Sequence, residues 1–188
     1  MHEMALGSVV PVGAGPLYTF EGMAPKVAAD AFIAPTAAVI GDVVIGERSG
    51  VWFHCVVRGD THFIRIGART NIQDGTIVHV ATGRFPCLIG DDVTVGHAAI
   101  VHACTLENWA FVGMGATVLD GAVIEEGGLL GAGGLLPPGK RIGRGELWMG
   151  QPAHLVRVMS REERADFNEN AIHYAELGAR YRAAFGAA

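Results

Sequence analysis

From Ile33 to Trp148 a large apolar residue returns at every sixth position, broken only by three short changes of spacing. The series runs Ile33, Val39, Ile45, Val51 and Val57; after three extra residues, Ile66, Ile72 and Val78. A longer interruption at 80–88 precedes Ile89, Val95 and Val101. One block is then a residue short, and Leu106, Val112, Val118, Ile124, Leu130, Leu136, Ile142 and Trp148 follow. No helix sustains this pattern, because a period of six drifts off the 3.6-residue turn. A strand followed by a corner does sustain it. The leading residue points inward, and small residues, often Gly in the second position, turn the corner. Three such blocks close one coil, so the chain is expected to be mainly β, a parallel β-helix of hexapeptide repeats. A β-sandwich would need hairpin turn signals that this spacing does not provide.

At 188 residues the chain has the length of one domain. It is 50% apolar and only 18% charged, with 27 glycines, a composition that argues against disorder. A net charge of -5 gives no support to nucleic-acid or anionic-membrane partners. Residues 1–32 read as an irregular or short-stranded lead-in, 33–158 as the β-helix and 159–188 as an appended helix. The first residues lack a basic segment and are interrupted by Pro11, Gly13 and Pro16, so no signal peptide is expected. No apolar run is long enough to span a membrane. Cys55, Cys87 and Cys104 are odd in number and show no paired spacing, which suits reduced thiols in a cytoplasmic protein. The segment GQPAHLVRVM leaves the column at Pro152. Ser160 and Glu163 then form a capping box opening a helix over about 161–185. Its apolar positions Phe167, Ala171, Tyr174, Tyr181 and Phe185 give one face to pack on the β-helix or on a neighbouring chain.

Counting blocks fixes where the histidines point. Blocks three apart lie on one face, about 4.8 Å from one another. Those led by Val57, Val78 and Val101 share a face, and their second residues, Arg58, His79 and His102, project outward in one column. His97 and Asp74 occupy the corner of the preceding face, with Gln73 beside Asp74. His79 and His102 can therefore share one metal ion, whereas His97 must come from a neighbouring subunit, as a side-by-side trimer would supply it. Three histidines with one open position suit catalytic Zn²⁺, although imidazole also suits Fe²⁺ or Co²⁺. Arg58 with Asp60 and Asp74 supplies charges for an interface pair, and Gln73 is placed to orient an attacking water. His62 reads as a solvent-exposed loop histidine, and Cys55 and Cys104 as packing residues.

These residues resemble the γ-class carbonic anhydrases. The likeness is carried by GDVVIG (41–46), VVRGD (56–60), IGARTNIQDGTIVH (66–79), TVGHAAIVHACT (94–105), FVGMGATVLDGAVIE (111–125) and GQPAHLVR (150–157). The resemblance implies a left-handed β-helix and a homotrimer with metal at the subunit interfaces. It implies His79 and His102 of one chain and His97 of the next as ligands. It further implies Arg58 and Asp74 as an interface pair, Asp60 as a second site aspartate, Gln73 as the water-orienting amide, and Asn170 or Tyr174 in the pocket. Two departures stand out. The loop VATGRFPCL (80–88) carries no carboxylate where active members have an acidic shuttle, and Thr61 stands where they have a glutamate. The expected activity is reversible hydration of CO₂ to bicarbonate. Alternatives are a hexapeptide-repeat acyltransferase, a metal-dependent hydrolase of acyl thioesters, or a metal-binding assembly subunit.

Overall fold

The computed structural model describes residues 16–185. Residues 1–15 of the lead-in, including His2, and residues 186–188 of the C-terminal segment lie outside the described residues. The chain forms a parallel β-solenoid of about seven turns with one C-terminal helix. The hexapeptide leaders stack in three columns. Ile33, Val51, Ile72, Val95, Val112, Leu130 and Trp148 are successive Cα partners. So are Val39, Val57, Val78, Val101, Val118 and Leu136, and Ile45, Ile66, Ile89, Leu106, Ile124 and Ile142. All but the half-buried Trp148 are fully buried and form one continuous core. Small fifth-position residues such as Ala37, Cys55, Thr76, Ala99 and Ala116 are buried with them. Burial alone explains the period, because every coil repeats the same three inward positions at the same distance along the axis.

The departures from the period have local causes. Leu17–Tyr18 and Lys26–Val27 already pair with the strand Ala38–Ile45, so coil structure begins upstream of Ile33. The three extra residues after Val57 are absorbed into one strand, Val56–Ile66, which runs around a corner beside Ala38–Ile45. The register shifts between Gly41 and Val43 to accommodate it. Within the interruption at 80–88 the exposed tip 82–84 is closed by an antiparallel bridge between Ala81 and Phe85, Val80 stays in the core, and Cys87–Ile89 rejoins Ile64–Ile66. Gly113 shows why small residues hold the corners: a Cβ there would lie 2.4 Å from the amide nitrogen of Ala132 on the next coil.

The solenoid ends in an antiparallel pair, Glu146–Gly150 with Ala153–Val158, after which helix α1 (Arg161–Ala184) folds back along it. Ala171, Ala175 and Gly178 bring α1 close to the coils. Tyr174, Tyr181 and Phe185 interlock with Phe32, Trp52 and Phe53 at ring separations of 5.1–6.5 Å. The Ser160 hydroxyl accepts from the Glu163 amide at 3.1 Å, and the Glu163 carboxylate accepts from the Ser160 amide at 2.8 Å. Bonds from Arg157 first, and from Ser160, hold the Glu163 carboxyl down at about 2 instead of its ordinary 4.5. A depressed carboxyl stabilises the fold above its unfolded value, and this is lost as pH falls through the folded one. The start of α1 should therefore fray between about pH 4.5 and 2. Glu163→Gln should remove this step from an amide-exchange profile of residues 161–165, whereas an unchanged profile would exclude the cap as its cause.

Among the described residues no helix is long and apolar enough to cross a membrane. The three cysteines are free and buried. Burial pushes the Cys55 thiol up to about 12. A hydrogen bond with Cys87, then burial, raises that of Cys104. Such thiols pack and do not act as nucleophiles near neutral pH.

Candidate metal centre

The strand Val56–Ile66 and the short strands Ile77–His79 and Ile100–His102 lie side by side, with Arg58, His79 and His102 as Cα partners. Their side chains face outward from the core position occupied by Val57, Val78 and Val101. His79 Nδ1 and His102 Nε2 approach to 3.2 Å. The other ring nitrogens are held by carboxylates: His79 Nε2 lies 3.0 Å from Asp60 Oδ1, and His102 Nδ1 lies 2.6 Å from Asp120 Oδ1. Arg58 donates to the second oxygen of Asp60, completing the chain Arg58–Asp60–His79–His102–Asp120. Burial pushes the Asp60 carboxyl up, but hydrogen bonds with His79 and Arg58 outweigh it and hold the group below the usual carboxylate range.

Asp120 is absent from the sequence-derived set. It occupies the third position of its block, the corner slot that holds His97 and Asp74 in theirs, one coil beyond His102. An acid in that slot next to a histidine column was the available signal.

A second group lies at another corner. His97 Nδ1 is 3.0 Å from Asp74 Oδ2. Gln73 is buried, and its amide nitrogen donates to Asn71 Oδ1 at 3.0 Å, which fixes the plane of the amide. Gln73, His97, Asn170 and Tyr174 line one cavity of about 450 Å³ between the coils and α1, otherwise walled by apolar side chains and glycines. Burial, and then the charge of Asp74, raises the Tyr174 hydroxyl above its ordinary value. Arg58 bonds Asp60 of its own chain; Asp74 pairs with His97. His62, expected in an exposed loop, instead lies half-buried within the strand Val56–Ile66. Its Nδ1 accepts from the Phe63 amide at 2.9 Å, and its ring borders a cavity of about 410 Å³ shared with Asp60. The extra residues extend a strand there, which is why the loop assignment fails.

The donor set fits a divalent cation in part. Two imidazole nitrogens converge while their far nitrogens are oriented by carboxylates, the outer support that metal-binding histidines ordinarily have. Among the described residues of one chain, no group of three or more His, Cys, Asp or Glu side chains is gathered around a common point.

The coil stack and the converging His79 and His102 define a hexapeptide-repeat β-solenoid protein with a histidine pair on its outer face. No family model matches the chain. Over 158 residues it is 50% identical to gamma carbonic anhydrase 2, mitochondrial, of Arabidopsis thaliana, a match covering 81% of this chain and 57% of that protein. This chain thus spans less than two thirds of that plant relative's length. It is 42% identical over 167 residues to a carbonic anhydrase of Geobacillus kaustophilus, covering 89% of this chain and 91% of that one. A solved hexapeptide transferase family protein from Anaplasma phagocytophilum superposes with a TM-score of 0.83 at 48% identity, over 88% of this chain and 97% of that one. The chain belongs to the gamma carbonic anhydrase family, which implies a metal cofactor.

Proposed function

We propose that this protein catalyses the reversible hydration of CO₂ to bicarbonate at a divalent metal, Zn²⁺ by preference, shared between neighbouring copies in a homotrimer. His79 and His102 of one copy and His97 of the next would hold it. The observation that carries the reading is the convergence of His79 and His102 on adjacent coils, each backed by a carboxylate, with His97 at a separate corner. Ile77 and Ile100, stacked in register within the histidine-bearing strands and 45% and 41% exposed, offer an apolar surface for the neighbouring copy.

When bound, the ion supplies Lewis acidity that makes water a nucleophile near neutral pH. Asp60 and Asp120 hold the two imidazoles in fixed orientation. Gln73, its amide pinned by Asn71, presents its remaining hydrogen-bonding capacity to the attacking water. Tyr174 and Asn170 close the helix side of the cavity and limit water access. Arg58, part exposed, can reach across the interface to Asp74 while keeping its hold on Asp60. No carboxylate stands in 80–88 to export the proton, so turnover should depend on buffer concentration. Three buried free thiols suit a reducing, cytoplasmic setting.

The test is stopped-flow CO₂ hydration on protein whose metal content has been quantified. Chelation should abolish hydration and re-addition of Zn²⁺ restore it, with one ion per chain at saturation. A fully loaded protein without hydration would contradict the assignment.

A further inference from the structure

The cavity beside His97 is far larger than a three-atom substrate requires, for about 450 Å³ lies in the range of sites that take drug-sized ligands. Its shape follows from the repeat. Gln73, Gly96, Gly113, Gly131 and Met149 each follow a stacked leader, so they form one column along the axis. A Cβ on Gly96 or Gly113 would stand 2.7 or 2.4 Å from a backbone nitrogen of the next coil, so glycine is required at both for the coils to close, while one on Gly131 would press on the Met149 side chain at 2.9 Å. The consequence is a floor of bare backbone extending over two coil steps, about 10 Å. Met114 and Leu147 wall it, Phe111 and Phe167 meet edge to face with centroids 5.2 Å apart, and Met149 ends it. All the polar side chains of the cavity belong to Gln73, His97, Asn170 and Tyr174.

A trough that is apolar along its length and polar in one group selects an amphipathic ligand. The geometry points to an amphipathic monocarboxylate with an unbranched medium-chain tail, its tail on the glycine floor and its head group beside Gln73 and His97. The amides and the Tyr174 hydroxyl supply donors to the carboxylate. The positive charge that offsets Asp74 would be supplied by the cation that His97 would help to hold, so the inference rests on the metal site proposed above. A tail of this kind buries CH₂ groups that a short acid leaves in water, and each two added carbons should tighten binding about five- to ten-fold until the trough is filled.

The experiment is calorimetric titration of the zinc-loaded protein with butyrate, hexanoate and octanoate, with CO₂ hydration measured on the same preparation. Octanoate should bind about 25- to 100-fold more tightly than butyrate, with saturation transfer between its methylenes and the Met114 and Met149 methyls. Ala132 lines the trough and is exposed, so Ala132→Trp fills the space without disturbing the core. That variant should bind butyrate as before and lose the chain-length dependence. Hydration present with equal affinity for all three acids would overturn the trough while leaving the proposed function standing. Hydration absent with chain-length dependence intact would do the reverse. If chain length is immaterial and Ala132→Trp shifts the oligomeric state on size exclusion, the trough is a face between copies and the proposal fails.

Discussion

His102→Ala should yield a folded protein that no longer retains metal, with CO₂ hydration reduced to the level of the chelated wild type. The side chain is partly exposed and lies outside the core column, so its removal leaves the packing of Val101 and Val118 untouched. What disappears is one of two converging nitrogens, together with the bond to Asp120. Asp120→Asn separates those two contributions. The imidazole stays, but its carboxylate support is lost, so metal affinity should fall about 10- to 100-fold without loss of the site. Metal titration followed by hydration assays distinguishes the two variants. Equal metal affinity in wild type and Asp120→Asn would remove Asp120 from the account.

The largest effect on stability is expected at a glycine. In Gly113→Ala the new Cβ would meet Ala132 N at 2.4 Å and Gly131 C at 2.6 Å, both backbone atoms that no rotamer change can move. Two coils would have to separate, breaking the pairing of Phe111–Val112 with Leu129–Leu130. Overpacking of this kind costs about 3 kcal/mol, a fall in Tm of roughly 6–12 °C for a chain of this size. Gly115 provides the contrast. Nothing lies within 4 Å of its Cβ position, and only its φ of +65° opposes a side chain. Gly115→Ala should therefore cost about 1 kcal/mol, the strain of the left-handed region alone. Thermal melts of the two variants test this, and equal losses would show that coil contact is not what requires glycine at 113.

Much of this architecture can be read from spacing. In a solenoid each coil meets only its neighbours, so a one-dimensional count of apolar residues is also a three-dimensional register. The column of Arg58, His79 and His102 follows from that count because the insert after Val57 and the interruption at 80–88 both leave the stacking of leaders intact. What spacing does not encode is side-chain direction beyond Cβ. Asp120 bonds His102 because the ring turns toward the following coil, a rotamer choice rather than a periodicity. Arg58 meets Asp60 because the strand Val56–Ile66 bends around a corner that hexapeptide counting treats as an insert. The same bend moves His62 out of a loop and into half-buried strand. The apolar trough was equally hidden, since it arises from glycines that look like ordinary corner residues until α1 is laid against them.

If one catalytic centre is assembled from two copies, mixed variants should complement each other. His97→Ala and His102→Ala should each be inactive alone. Unfolded together in equal amounts and refolded, they should recover about a quarter of wild-type hydration, because random assembly around a threefold axis places an intact His79–His102 pair against an intact His97 at one interface in about four. Recovery of metal in the same proportion would accompany it. No recovery, in mixtures shown by mass spectrometry to contain both chains in one assembly, would contradict a shared centre.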